Sequence, residues 1–461
     1  MNSNDYRAKY NKHLLHPWGE LSELGNDDST SVIVKGEGVY IYDAEGKKLL
    51  DGPAGMWCMQ TGYGRKEIAD AVADQIMQLG YSTSFTVMND QEIELAERIA
   101  SKTPGDLNRI YFTTGGSTAV DSALRLCQLS SNIKGEYNRK HIISRDKAYH
   151  GSTFLAASIT GKERDKTAMD ILKDDIHFLT APCYFYHPEF SSEQDFCDFL
   201  VQELENKILE IGSENVMCYI AEPVLASGGV IVPPEGYNYR CWQLVKQYGI
   251  TYIADEVVTA FGRLGHWFAS EQEFDIVPDI IIFAKGITSG YLPLGGYAVS
   301  DKFMEAITGD NANGCLYSNG YTWSGNPVSC RAAIASWDII ENENLLEHVN
   351  DVAPYFQQQL ATLKDLPLVG DVRGIGLMAA VEMTIKAENA EQLLEKDYAI
   401  GALVDKHCHQ FGLLVRPFIN ICIISPPLII TKDQIDEMVT ALRKGLELSL
   451  IELRETGVWK E

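Results

Sequence analysis

No two cysteines in this chain form a Cys-x-x-Cys pair, and its ten cysteines do not alternate with histidine at zinc-finger spacing. A structural metal and a disulfide framework are therefore not expected. Most of the thiols sit in apolar stretches, as buried cysteines do, and this reads as a protein of the reducing cytoplasm. Long apolar runs are also missing: none approaches the ~20 residues that a membrane span requires. The N-terminal stretch MNSNDYRAKYNKHLLHPWGEL is polar and has no apolar signal core. Positive charge is scarce, with 39 Lys and Arg against 64 Asp and Glu and a net charge of -25. Such a surface repels nucleic acid and anionic lipid, so neither is expected as a partner. The acidity reads as solubility, and an anionic substrate needs a local cationic pocket. GxxxxGK[ST] and GxGxxG are both absent, which sets aside the two commonest glycine-rich nucleotide loops. There is no fixed-period repeat, low-complexity tract or obvious flexible linker.

What is present fits a globular enzyme, at 45% hydrophobic, 22% charged and 10% aromatic residues. With 461 residues the chain exceeds what one core sustains, so two packed units are expected. Residues 32–50 alternate apolar and polar positions around Gly and Asp turns, the pattern of a small antiparallel meander. From residue 66 the pattern changes. Helical stretches at 66–79 and 90–101 precede or separate short apolar runs at 109–113, 141–144, 216–221, 250–254, 279–283 and 296–299. This alternation predicts an α/β unit with a mostly parallel sheet wrapped by helices. After residue 330 come a long helical tract, strand-like runs, a helix over 397–411 and a last helix from Lys432. The expected division is 1–65 and 331–461 in a small α+β unit built from both chain ends, and 66–330 in the large unit.

Three places in the large unit carry chemistry. In RIYFTTGGSTAVDSALRLC, a strand runs into Thr114-Gly115-Gly116-Ser117-Thr118 and then a helix. Glycines admit a close backbone approach, and a helix N-terminus offers unpaired N–H groups with partial positive charge, so the turn reads as a phosphate cup. By itself such a turn is as often only structural. Asp255 ends one apolar strand, and Lys285 follows another. Ligands of open α/β sheets bind at the carboxyl ends of strands, so both side chains are expected in one crevice. Helix capping is the competing reading for Asp255, and a solvated surface position the competing one for Lys285. A lysine that forms an imine, an acid that keeps a pyridine nitrogen protonated and a cup for phosphate are together the demands of pyridoxal phosphate (PLP).

Over nearly its whole length the chain resembles the class III (subgroup II) aminotransferases, among them the ω- or amine:pyruvate transaminases. The resemblance is carried by GGST before a helix, AYHGST (148–153), AEPV (221–224), ADEVVTAFGRLG (254–265), FAKGITSGYLPLGG (283–296), GYTWSGNP (320–327) and GLLVRP (412–417). It implies the fold of PLP-dependent transferases of type I. It also implies that Lys285 is the Schiff-base lysine and Asp255 the partner of the pyridine nitrogen. Gly116 and Ser117 match the phosphate cup, Tyr149 the aromatic stacked on the ring, Val257 the residue packed on the other face, and Glu222 an acid near the cofactor. Thr322 matches the threonine that reaches the phosphate of a neighbouring subunit, which implies a homodimer with shared active sites. Arg416 resembles the arginine that grips a substrate carboxylate, and Trp57 the tryptophan that shapes the amine pocket. Core packing is the other reading of Trp57, and His150 is read as structural.

Two boxes depart from the family. The cup commonly reads Ser-Gly-Ser-Glu-Ala-Asn, but here it is Gly115-Gly116-Ser117-Thr118-Ala119-Val120. Thr118 replaces a carboxylate and removes negative charge from the phosphate end. The common Ser-Gly-His-Pro is Ser324-Gly325-Asn326-Pro327. The expected reaction is transfer of an amino group from a small primary ω-amine or amino acid to an oxoacid such as pyruvate. The alternative, which the change at Thr118 keeps open, is a PLP-dependent ammonia-lyase acting on a hydroxylated aminoalkyl phosphonate or phosphate such as 1-hydroxy-2-aminoethylphosphonate. A non-enzymatic member of the fold is a third reading, opposed by the intact Lys285 and Asp255.

Overall fold

A computed structural model describes residues 3–19, 21–26, 31–312, 314–385 and 390–459. Near the N-terminus three short strands form the expected meander: β1 (Ile33–Glu37), β2 (Tyr40–Asp43) and β3 (Lys48–Asp51). They pair antiparallel. The β2–β3 turn is closed by Asp43, whose Oδ1 accepts from the backbone N–H groups of Glu45 at 3.0 Å and Lys47 at 2.8 Å, the turn chemistry for which Asp is suited.

The large unit is built on a seven-stranded sheet. Its strands are β4 (Arg109–Thr113), β5 (His141–Arg145), β6 (Ile176–Leu179), β7 (Val216–Ala221), β8 (Thr251–Asp255), β9 (Ile280–Phe283) and β10 (Gly295–Val299). Their spatial order is β4-β10-β9-β8-β7-β5-β6. Strands β5 to β9 pair parallel, and β10 alone runs against its two neighbours. Every residue of β7 and of β9 is buried, as strands covered by helices on both faces must be. Burial of each of Ile280, Ile281, Ile282 and Phe283, all 0% exposed, contributes about 1.5–3 kcal/mol. Strand β6 lies outside the sequence expectation, because it includes His177 and only Leu179 of its four residues is buried. The helix Pro327–Asn342 sends Cys330, Ala333, Ile334 and Trp337 into the same core.

A second core joins Val39 and Leu50 of the meander to residues between 349 and 453. Its strands are β11 (Val369–Ile375), β12 (Met378–Met383), β13 (Leu413–Leu414), β14 (Arg416–Phe418) and β15 (Ile421–Ile424). Strands β11, β12, β15 and β14 make an antiparallel sheet, while β13 adds to β3 in parallel. Residues near both ends of the chain thus share one interior. The helical tract after 330 is two helices, broken at Asn344, whose φ of 49° ends one before Leu345–Ala361 begins. The helix expected over 397–411 starts earlier and spans Ala390–Gln410. The last helix, Lys432–Glu455, opens on a capping box between Thr431 and Gln434. All ten cysteines are unpaired. Among the described residues no helix is long and apolar enough to cross a membrane, and no cluster of three or more His, Cys, Asp or Glu has metal-binding geometry.

Candidate active site

The parallel strands of the large sheet deliver their carboxyl ends to one crevice. Register places Ala221 of β7 beside Ala254 of β8, and Asp255 beside Ile282 of β9. Glu222, Asp255 and Lys285 therefore leave three adjacent strands at one level. Lys285 opens a short 3-10 turn, Lys285–Thr288, directly after β9 and has a left-handed φ of 45°. A non-glycine residue held there costs of order 1–3 kcal/mol. Burial holds its ammonium below the ordinary lysine range, while Asp255 and Glu222 pull it back up.

Asp255, 4% exposed, is held at both oxygens. His150 donates from Nδ1 to Oδ2 at 2.7 Å, and the Val257 backbone N–H donates to Oδ1 at 3.1 Å. The buried Nε2 of His150 has no partner among the described residues. Glu222 is equally engaged: its Oε1 accepts from the Tyr149 N–H at 2.9 Å and its Oε2 from the Ala226 N–H at 3.0 Å. Burial raises its carboxyl, His150 lowers it and Asp255 raises it further. Behind it the fully buried guanidinium of Arg145, at the end of β5, donates to the Glu222 carbonyl.

The glycine turn after β4 caps the helix Gly116–Ile133. A Cβ built on Gly116 would stand 3.3 Å from the methyls of Val257 and 3.7 Å from the Cβ of Ala284, the residue before Lys285. The turn, Val257 and the Lys285 segment thus face one another across a space kept open by glycine. Ser117 Oγ accepts from the Ser152 N–H at 3.0 Å. Gly151, with φ of +143°, has no room for a side chain, since a Cβ would lie 2.5 Å from that Ser117 Oγ. The Tyr149 hydroxyl pairs with Ser152 Oγ at 2.9 Å, which ties the aromatic ring to the same turn. Thr118 does not reach outward: its Oγ1 donates to the Gly115 carbonyl at 2.9 Å.

Three further expected residues come from other elements, and of these Arg416 is near enough to lower the Lys285 pKa. Trp57 is 2% exposed and packs in a cluster with Val224, Val258 and Met378. Thr322 is exposed, and its carbonyl accepts from the Tyr81 hydroxyl at 3.0 Å. Arg416 is half-buried on β14 and has no carboxylate within ion-pair distance among the described residues. His150, read from the sequence as structural, holds Asp255, and Trp18, which no sequence motif marks, has its ring 6.3 Å from that of Tyr149. The set fits a pyridine ring with a phosphate tail: an anion held by two donors, an open glycine cradle at a helix N-terminus, a buried orphan nitrogen on His150 and a lysine beside them.

Comparison with known proteins agrees with this geometry. The family model for class III aminotransferases matches residues 23–446. The putrescine–pyruvate aminotransferase of Pseudomonas aeruginosa is 38% identical over 445 residues, which cover 96% of each chain. Among solved structures, an (S)-enantioselective ω-transaminase from Thermomicrobium roseum superposes with a TM-score of 0.92 at 36% identity, covering 98% of this chain and 99% of that one. An aminotransferase from Vibrio fluvialis, crystallised in its PMP-bound form, has a TM-score of 0.90 at 31% identity, covering 97% and 98%. All three relatives are aminotransferases and none is a lyase. With the matched length, the sheet order and the lysine–aspartate pair in one crevice, the chain belongs to the class III aminotransferases, PLP-dependent enzymes of fold type I.

Proposed function

We propose that this aminotransferase moves the amino group of a small primary ω-amine, a diamine or an ω-amino acid to pyruvate or another small oxoacid. The observation that carries the reading is Lys285 at the end of β9, next to an Asp255 carboxylate fixed by His150 and the Val257 N–H. When bound, PLP supplies an electron sink for the bond being broken. Lys285 has the chemistry to carry the cofactor and, once free, to move a proton at the substrate carbon, because its lowered pKa leaves more neutral amine at physiological pH. Asp255 is positioned to keep the ring nitrogen protonated, and the His150 hydrogen bond keeps it from turning away. Gly116, Ser117 and the helix N-terminus are suited to the phosphate. Tyr149 and Val257 are suited to the two ring faces, where they exclude water. Glu222 orients Tyr149 through that residue's N–H. Arg416, lacking a carboxylate of its own, is suited to that of the oxoacid. The putrescine–pyruvate relative supports this substrate pair.

The same reading includes a homodimer in which Thr322 completes the phosphate site of the neighbouring subunit. Its support is the exposed apolar surface around that residue, described below. It also includes work in a reducing cytoplasm, which the ten free thiols support. The test incubates the purified protein and PLP with putrescine or other amines, with and without pyruvate, and measures alanine and free ammonia separately. Alanine that appears only with pyruvate supports the proposal. Ammonia released without an oxoacid overturns it in favour of elimination.

A further inference from the structure

Beside Arg416 stands a second cation that no sequence motif marks. Lys162 precedes the short turn Glu163–Lys166, is half-buried, and its Nζ makes no hydrogen bond or ion pair among the described residues. Its Nζ lies 4.1 Å from the centre of the Phe418 ring and 5.2 Å from that of Tyr149. Phe418 alternates with Arg416 on β14, so the two side chains share one face of that strand. Lys162 thus stands between the aromatic proposed to cover the cofactor and the strand that presents Arg416. Its neighbour Arg164 is already committed, to Asp165 at 2.9 Å, to the Tyr398 hydroxyl and to the Phe418 ring at 4.8 Å.

We infer that Lys162 is a specificity-determining residue, which with Arg416 forms a two-cation seat that draws the acidic acceptor into the site and repels the distal ammonium of a diamine. The inference rests on the transaminase reading above. A half-buried ammonium gains only modestly from aromatic faces and lacks a counter-ion, and a substrate carboxylate would supply it. Every charged group facing Lys162 acts on its proton. Burial, Arg164 and Arg416 lower its pKa, Asp165 and Glu222 raise it, and the result is about 8. The seat therefore carries both charges below about pH 8 and only that of Arg416 above it.

The experiment compares the wild-type holoenzyme with Lys162→Met and Lys162→Arg. Lys162→Met should raise KM for pyruvate about tenfold, the order of one charge-assisted contact, lower KM for putrescine, and change kcat by less than about threefold. Between pH 7 and 9.5 the pyruvate KM should rise in the wild type, stay low in Lys162→Arg, and stay high at every pH in Lys162→Met. Calorimetric binding of propionate, which cannot react, should weaken by about the same factor in Lys162→Met, while propionamide binds all three proteins alike. Equal propionate affinity in wild type and Lys162→Met would overturn the inference. Because propionate binding needs no turnover, it decides the role of Lys162 even if no amine and oxoacid pair reacts, an outcome that would sink the transaminase reading alone.

Discussion

Lys285 is held in a left-handed backbone conformation that only the surrounding packing sustains, and its ammonium is lowered by burial against the pull of two carboxylates. Two outcomes follow at this scale. Lys285→Ala should lower the rate of alanine formation by at least about 10²–10⁴, the usual worth of a positioned acid–base group, in single-turnover assays. In the cofactor-free protein, acylation of Lys285 followed by mass spectrometry should rise with pH along a limb below the ordinary lysine range. Asp255 and Glu222 both raise that pKa, so Glu222→Gln should move the limb to lower pH. A shift to higher pH would contradict the electrostatic assignment. Lys285 and Asp255 were legible in the sequence because each ends an apolar run, and strand ends are where such sheets bind ligands. Lys162 was not legible, since its neighbours Tyr149 and Phe418 come from distant parts of the chain and only folding brings them together.

Elements fix these side chains through their ends. Asn326, which stands where the family commonly has His, is the N-cap of the helix Pro327–Asn342: its Oδ1 accepts from Val328 at 3.1 Å and Ser329 at 3.0 Å. Asn326→Ala should destabilise the protein by about 1 kcal/mol, read as a lowered Tm, while Asn326→Ser should largely restore it. On the helix Ala390–Gln410, burial pushes the carboxyl of Asp405 up to about 6 against a backbone hydrogen bond from Val415, and its Oδ1 has no partner among the described residues. A folded-state pKa raised above the unfolded value gives a contribution that is full below about pH 4 and lost as pH rises through about 6. Asp405→Asn should therefore raise Tm near pH 7.5, by the order of 1–2 kcal/mol of stability, and have little effect near pH 4. The meander, the parallel strands and the helices flanking them were readable from period and turn residues. Strand β6 was not, because an edge strand of four residues with a single buried one has too little pattern, and neither was the early start of the helix at Ala390, whose first turns lack an apolar stripe.

For the whole molecule, the surface around Thr322 is the informative one. Met77, Met88, Leu316 and Trp323 are 87%, 79%, 80% and 57% exposed. The 81–89 segment is tied to the 321–326 box by Tyr81 packed edge-on to Trp323 at 5.4 Å, by Ser84 donating to the Ser324 carbonyl and by Asn89 donating to that of Gly325. Exposed apolar groups of this kind suit the proposed subunit interface. A Met88→Asp, Trp323→Asp double variant should sediment as a single chain and hold PLP at least about tenfold more weakly, because each phosphate site would lose the loop of its neighbour. A variant that stays dimeric and keeps the cofactor would refute the shared site.

The interior shared by both chain ends also bears on synthesis. Strand β3 waits for β13, roughly 360 residues later, and at ribosomal speeds this is about 20–70 s. Until residues from 349 onward emerge, Val39 and Leu50 lack the rest of their core, and the meander stands as a sticky, half-made layer while the large sheet is already able to close. Nascent chains stalled before residue 413 should accordingly be held by chaperones at the N-terminal strands, and be released only once the final helix has left the tunnel.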